Sequence, residues 1–137
     1  MTSRTVYAGL AILVVSSAGA ESAQQPLLDF YAAGAKSLDV GFAGFSAERG
    51  KVLFTSRFPG GRPETPSCTA CHTADPTKIG QTRAGKDIDP MAVSANPRRY
   101  TDPEKVEKWF GRNCRNVLGR ECTATEKGDF ITFMLTQ

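Results

Sequence analysis

The sequence predicts an all-α fold, and three observations support this prediction. Helical signals occur in four parts of the chain: in each, a residue that caps a helix or opens its first turn is followed by apolar residues spaced three and four positions apart. No strand-rich pattern surrounds the two cysteines at its centre, and the chain has no internal repeat. The length of 137 residues corresponds to one small domain with a modest apolar core.

The first twenty residues predict an export signal. Arg4 supplies a short positive region, residues 6–15 are apolar, and residues 18–20 form an A-x-A cleavage site. This apolar run is shorter than the about 20 residues that span a bilayer, and an uncleaved anchor is the alternative. We therefore expect a signal peptide over residues 1–20 and a soluble periplasmic protein. The net charge of +3 gives no reason to expect nucleic acid or an anionic membrane as a partner.

Two helices are predicted in the first half of the chain. The first covers residues 26–35, with Pro26 in its first turn. The second is capped by Ser46 and runs to about Arg57. Gly50 lies on its apolar face, so we expect another helix to approach closely there.

Residues 68–72 read Cys-Thr-Ala-Cys-His, and His72 is the only histidine in the chain. This C-x-x-C-H pattern predicts covalent haem c, because the thiols of Cys68 and Cys71 add across the haem vinyl groups and the imidazole binds the proximal face of the iron. A thioredoxin-like redox pair or half of a zinc site is the alternative, but only two other cysteines remain as zinc ligands. We therefore expect one haem whose sixth ligand is not a histidine.

The segment from residue 73 to residue 100 has no sustained apolar periodicity. An irregular stretch of this length is expected where the chain wraps a cofactor. The candidate donors to the haem propionates in this segment are Arg83, Lys86, Arg98, Arg99 and Tyr100. The alternative is that these side chains are solvated surface groups.

A third helix begins after a cap at Thr101 or Asp102, with a proline in its first turn. Its predicted apolar stripe consists of Val106, Trp109 and Phe110. Asn113 falls near the centre of this stripe and Asn116 at its margin. An amide in an apolar face needs a partner, which is either the haem iron or the carbonyls and water at the helix end.

Cys114 and Cys122 remain after haem attachment. In an oxidising periplasm, two thiols eight residues apart predict a disulfide, and a redox-active pair is the alternative.

The last predicted helix follows residues 123–126, whose Thr-Ala-Thr-Glu pattern is a capping box. Its apolar positions include Phe130, Phe133 and Met134.

Several of these segments together resemble the sphaeroides haem protein family of class I c-type cytochromes. The resemblance covers the chain from about Ser46 to its end, and it is carried by residues 48–50, the loop 60–67 before the haem motif, residues 80–83, and residues 106–114 and 121–122. It implies a small class I cytochrome c-like helical fold around one covalent haem. The corresponding domains are the signal peptide 1–20, an N-terminal extension with a short helix over 21–45, and a cytochrome c domain over 46–137.

The resemblance also implies the roles of individual residues. The asparagine directly before the first disulfide cysteine, Asn113, is expected to bind ferric iron and to leave on reduction, which opens a site for oxygen, nitric oxide or carbon monoxide. The implied disulfide joins Cys114 to Cys122. The implied redox partners are dihaem cytochromes c and membrane b-type cytochromes.

Methionine is the other candidate for the sixth ligand, as in ordinary class I electron carriers. Met91 comes only nineteen residues after His72, which is early for that role. Met134 lies on the apolar face of the last helix, where packing explains it.

Three classes of function compete: an electron carrier, a gas-binding or sensing module, and a haem enzyme that reduces a small oxidant. The enzyme class ranks last, because the sequence offers no distal histidine and no acid–base pair. We expect a cytochrome that transfers electrons and binds small gases at its ferrous haem.

Overall fold

The computed structural model describes residues 21–137, and the predicted signal peptide lies outside them. Five helices and two very short strands follow one another along this part of the chain. In order they are α1 (Gln25–Leu38), α2 (Ala47–Thr55), α3 (Thr69–His72), β1 (Gly80–Gln81), β2 (Asp87–Ile88), α4 (Pro103–Leu118) and α5 (Ala124–Leu135). The predicted all-α fold is confirmed. None of the helices within residues 21–137 has the length and apolar character needed to cross a membrane.

The helix ends follow local capping chemistry. Ser46 caps α2 by accepting a bond from the Arg49 backbone N–H, and Asp102 caps α4 in the same way. At α5, Thr123 and Glu126 form the predicted capping box. The predicted bounds differ slightly at other ends: α1 extends to Leu38, and α2 ends at Thr55 because residue 56 takes an extended conformation.

The pairing of α2 with α5 forms the centre of the apolar core. Phe54 is fully buried and its ring packs against those of Phe130 and Phe133, with ring centroids 6.0 and 5.9 Å apart. A Cβ atom at Gly50 would overlap the backbone of Asp129, so only glycine permits this approach of the two helices. The predicted close contact at Gly50 is therefore present.

Helix α1 packs against α5 and α4. Its buried face contains Leu27, Leu28, Tyr31 and Ala35. The Tyr31 hydroxyl donates to Glu107 on α4, and the Gln24 side chain donates to the carbonyls of Pro97 and Arg99 at 3.0 and 2.9 Å. The N-terminal extension thus contacts both the last helix and the segment that precedes α4.

The segment between the haem motif and α4 is largely irregular, as predicted. The sequence did not indicate its one regular feature, the antiparallel pairing of β1 with β2, because each strand is only two residues long. Its path is held by backbone hydrogen bonds instead, including those from the N–H groups of Met91 and Ala92 to the Pro76 carbonyl at 2.8 and 2.9 Å.

Candidate haem site

The C-x-x-C-H motif forms a single helical turn. Cys68 is the N-terminal cap residue of α3, and its carbonyl accepts the N–H groups of Cys71 and His72 at 3.3 and 3.1 Å. Both thiols are free and half-buried. The helix is backed by β1, where a Cβ atom at Gly80 would overlap the Cys71 carbonyl. Local hydrogen bonding therefore brings the two thiols and the imidazole into one compact group.

The environment of His72 keeps its imidazole neutral. Burial, together with the positive charge of Arg99, lowers the pKa of His72 to about 4. Its Nδ1 atom is buried and has no hydrogen-bond partner among residues 21–137. Burial likewise raises the pKa of the Cys68 thiol to about 11. At neutral pH the motif therefore presents a neutral imidazole, the form that binds a metal.

Met91 lies beside the segment that follows His72. Its N–H donates to the carbonyl of Pro76, four residues after His72, and its own carbonyl accepts the Tyr100 hydroxyl at 2.9 Å. Tyr100 adopts a left-handed backbone conformation with φ of 61°, which is uncommon for a residue other than glycine. Burial raises the pKa of Tyr100, which keeps its hydroxyl protonated as a donor. These contacts fix Met91 within the apolar core.

Three of the candidate propionate donors have protein partners of their own. The Arg99 guanidinium donates to the carbonyls of Pro90 and Asp89 at 2.9 and 2.6 Å, and Arg83 pairs with Glu64 at 3.3 Å. Lys86 and Arg98 are exposed, and the hydroxyl of Tyr100 is occupied by Met91. Of the group, Arg99 lies near enough to His72 for its charge to lower the histidine pKa.

The buried face of α4 differs from the predicted stripe. It consists of Phe110, Cys114, Val117 and Leu118. Trp109 is 43% exposed and carries the Arg112 guanidinium 5.7 Å from its ring centroid, while Val106 and Asn113 are half-buried beside the core face. Of the predicted stripe, Phe110 is thus buried in the protein core and Val106 packs against it, while Trp109 lies outside this protein contact.

The two asparagines of α4 have different surroundings. Asn116 lines a surface depression of about 670 Å³ together with cationic side chains that include Arg62, Lys108 and Arg112, and its backbone carbonyl is occupied by the N–H of Arg62. Asn113 does not line this depression. Its helix continues directly into Cys114, whose sulfur lies at bonding distance from that of Cys122, with Cα atoms 5.6 Å apart.

Sequence reasoning missed the contact made by the segment that we call the pre-motif loop, residues 58–67. This loop lies against the C-terminal end of α4 and leads into Cys68. The glycines at positions 60 and 61 were the available signal, because adjacent glycines often mark a close approach of two backbones.

The residues of the motif fit haem c. Two unbonded thiols and a neutral imidazole lie on one turn, and one imidazole nitrogen is buried without a protein partner. Among residues 21–137, no three His, Cys, Asp or Glu side chains are arranged so that they alone could hold a metal ion. The donor set is that of covalent haem attachment.

Comparison with known proteins agrees with this reading. Residues 40–134 match the family described as a domain of unknown function (DUF1924). The cytochrome c-type protein SHP of Cereibacter sphaeroides is 57% identical over 91 residues, which are 66% of this chain and 70% of that protein. Cytochrome c'' of Methylophilus methylotrophus is 37% identical over 89 residues, 64% of this chain and 62% of that protein.

Solved structures extend the comparison to the fold. The structure of oxidized SHP, described as an oxygen-binding cytochrome c, superposes with a TM-score of 0.77 at 49% identity and covers 85% of this chain and 99% of that one. Oxidized cytochrome c'' of M. methylotrophus superposes with a TM-score of 0.72 at 32% identity, over 84% of this chain and 94% of that one. A solution structure of the same protein, which concerns haem-ligand detachment, gives a TM-score of 0.72 at 33% identity, over 83% and 93% of the two chains.

Proposed function

We propose that this chain is an electron-transfer protein whose sixth haem ligand, Asn113, is released on reduction, so that the ferrous haem binds small gases. The proposal starts from two findings: the chain belongs to the SHP family of c-type cytochromes, and it carries one covalent haem c. Residues Cys68 and Cys71 hold the haem and His72 is the proximal ligand. The haem supplies one-electron exchange and, where its sixth position is free, affinity for oxygen, nitric oxide and carbon monoxide.

The backbone position of Met91 is the observation that carries this proposal. Its N–H is bonded to the Pro76 carbonyl, and its side chain is buried in the apolar core, so packing accounts for this methionine without a bond to iron. The sixth ligand would then come from another element. We assign it to α4, where Asn113 is the half-buried polar residue outside the cationic depression.

The chemistry of the amide explains release on reduction. An amide oxygen is a hard donor, which suits ferric iron better than ferrous iron, whereas imidazole suits both. Electron gain therefore weakens the bond to Asn113 far more than the bond to His72. One similar protein is described as an oxygen-binding cytochrome c, and the solution structure of another concerns haem-ligand detachment; both descriptions support a sixth position that can open.

The cellular setting follows from the same proposal. Residues 1–20 are removed on export to the periplasm, residues 21–45 form the N-terminal extension, and residues 46–137 form the cytochrome domain. The disulfide between Cys114 and Cys122 forms in that oxidising compartment. Dihaem cytochromes c and membrane b-type cytochromes are the proposed electron partners.

Absorption and resonance Raman spectra of the ferric and ferrous protein, with and without carbon monoxide, test the proposal. We expect six-coordinate, largely low-spin ferric protein and five-coordinate, high-spin ferrous protein that binds carbon monoxide. Asn113→Ala should change the ferric spectrum to that of water-bound or five-coordinate iron. Asn116→Ala, the matched control on the same helix, and Met91→Leu should leave it unchanged. Reduced wild-type protein that stays low-spin and ignores carbon monoxide would instead indicate a closed electron carrier.

A further inference from the structure

The C-terminal end of α4 is bonded to the pre-motif loop. The backbone N–H of Arg62 donates to the Asn116 carbonyl at 2.7 Å, and the Thr65 hydroxyl donates to the same oxygen at 3.2 Å. The last carbonyls of a helix have no partner within it. The loop therefore supplies the donors for one carbonyl in the turn that follows Asn113.

Three glycines allow the two backbones to touch. A Cβ atom at Gly61 would overlap the carbonyl oxygens of Asn116 and Val117, and one at Gly60 would lie 2.7 Å from the Leu118 carbonyl oxygen. Gly119 ends the helix with φ of 76°, and a Cβ atom there would overlap the Gly60 carbonyl. The loop and the helix end are consequently in direct contact, with no room for a side chain between them.

The same stretch of α4 is also held from its other sides. Cys114 lies at bonding distance from Cys122, and Cys114, Val117 and Leu118 are buried in the core. Asn113 is the residue immediately before this fixed stretch. The pre-motif loop, for its part, reaches Cys68 only three residues after Thr65, so one short segment joins the haem attachment point to the helix of Asn113.

From this arrangement we propose that the pre-motif loop is a positioning element that fixes the backbone of α4 relative to the attached haem. With residues 114–118 held in place, only the Asn113 side chain would have to turn for its amide to bind or leave the iron. This inference rests on the proposed role of Asn113 and adds the element that sets its distance. The loop itself touches neither iron nor ligand in this scheme.

Substitution of Gly61 by alanine tests the proposal in the haem-loaded protein. The added methyl group must push the loop away from α4, so we expect the ratio of Asn113-bound to unbound ferric iron to fall by roughly tenfold, as overpacking of a tight contact implies. The readout is the high-spin fraction in the ferric spectrum. Gly34→Ala is the matched control, because its Cβ would meet only the Ala124 side chain at an ordinary 3.4 Å; we expect no spectral change there.

Thr65→Val is the milder variant, in case Gly61→Ala fails to mature. It removes one of the two bonds to the Asn116 carbonyl and nearly preserves shape, so the same ratio should fall by about threefold. Amide hydrogen exchange of residues 114–118 gives a second readout. In wild-type protein their protection should be equal in the ferric and ferrous states, because only the Asn113 side chain moves.

The outcomes separate this inference from the proposed function. An altered ferric spectrum in the loop variants, with Gly34→Ala unchanged, supports it. Unchanged ferric spectra in Thr65→Val and in any Gly61→Ala that matures, beside a clear effect of Asn113→Ala, overturn the positioning role and leave the ligand assignment intact. Loss of protection over residues 114–118 on reduction overturns the fixed backbone. A ferric spectrum indifferent to Asn113→Ala removes both claims.

Discussion

The contact of α2 with α5 and the segment from Ser67 to Tyr100 are built in contrasting ways. Between the two helices, Phe54 and Ile131 are fully buried. Atoms of Asp129 and Phe133 occupy the space that a side chain at Gly50 would need. Between Ser67 and Tyr100 the regular structure amounts to a four-residue helix and two strands of two residues each.

The difference shows which part of the fold depends on the cofactor. The second region buries His72 Nδ1 without a protein partner and leaves two thiols half-buried. Thioether bonds from both thiols and the ligation expected of His72 would tie this region to the haem, so we expect its order to depend on the cofactor. The α2–α5 contact, in contrast, needs nothing beyond the chain, and the two regions should respond differently to the same perturbation.

Loss of haem attachment should have the largest effect. In the double variant Cys68→Ser and Cys71→Ser, no thioether can form, and we expect residues 67–100 to lose amide protection by at least about tenfold more than α2 and α5. Hydrogen exchange with mass spectrometry measures this. Cys114→Ser with Cys122→Ser, which keeps the haem, is the control and should spare residues 67–100. Equal loss of protection in both regions would contradict the contrast.

The α2–α5 contact should be the more sensitive region to truncation of a side chain. Phe54→Ala leaves a cavity facing Phe130 and Phe133, so we expect the free energy of unfolding of the haem-loaded protein to fall by about 3–5 kcal/mol. Urea titration followed by circular dichroism measures it. Val52→Ala, on the exposed side of the same helix, should cost less than about 0.5 kcal/mol. A similar cost for both would show that α2 contributes little to the core.

The same contrast explains how far the sequence could predict the structure. Caps such as Ser46, Asp102 and Thr123 are local signals, so the helices of the protein-only core were predictable to within a few residues. The contact of α4 with the pre-motif loop was not predictable in this way, because it joins residues far apart in the chain: 51 positions separate Thr65 from Asn116.

The buried carboxylate of Asp129 joins α5 to the start of α2. It accepts bonds from the Ser46 N–H at 2.7 Å and from two nitrogens of Arg49 at 2.7 and 2.8 Å. Asp129→Ala leaves the Ser46 N–H without this acceptor, so we expect a loss of about 1–3 kcal/mol in the free energy of unfolding. Arg115→Ala, which breaks the exposed pair with Glu121, should cost at most about 1 kcal/mol. Equal losses in the two variants would show that the burial of Asp129 does not increase the contribution of its hydrogen bonds to the free energy of unfolding.

The smallest expected effect concerns Glu107, which links α1 to α4 and α5. Burial raises the pKa of Glu107, but hydrogen bonds from Lys127 and Tyr31 outweigh it and hold the pKa below its usual value. A carboxyl whose folded-state pKa is depressed stabilises the fold above its unfolded-state pKa of about 4.3, and this contribution is lost as the pH falls through the folded-state value.

Glu107→Gln should therefore flatten the acid side of the stability curve. The amide keeps an acceptor for the Tyr31 hydroxyl but has no charge to lose. Because Glu107 is partly exposed, the free energy of unfolding of the variant should differ from that of wild type at pH 7 by no more than about 1 kcal/mol. The two values should converge near pH 3. Urea unfolding at pH 7, 5 and 3 measures the convergence.

Glu126→Gln is the control for the acid sensitivity that remains, because the hydrogen bond from Arg120 also lowers the pKa of Glu126. A constant difference between Glu107→Gln and wild type at all three pH values would show that the contact of α1 with α4 depends on packing alone, and that charge contributes nothing to the attachment of the N-terminal helix.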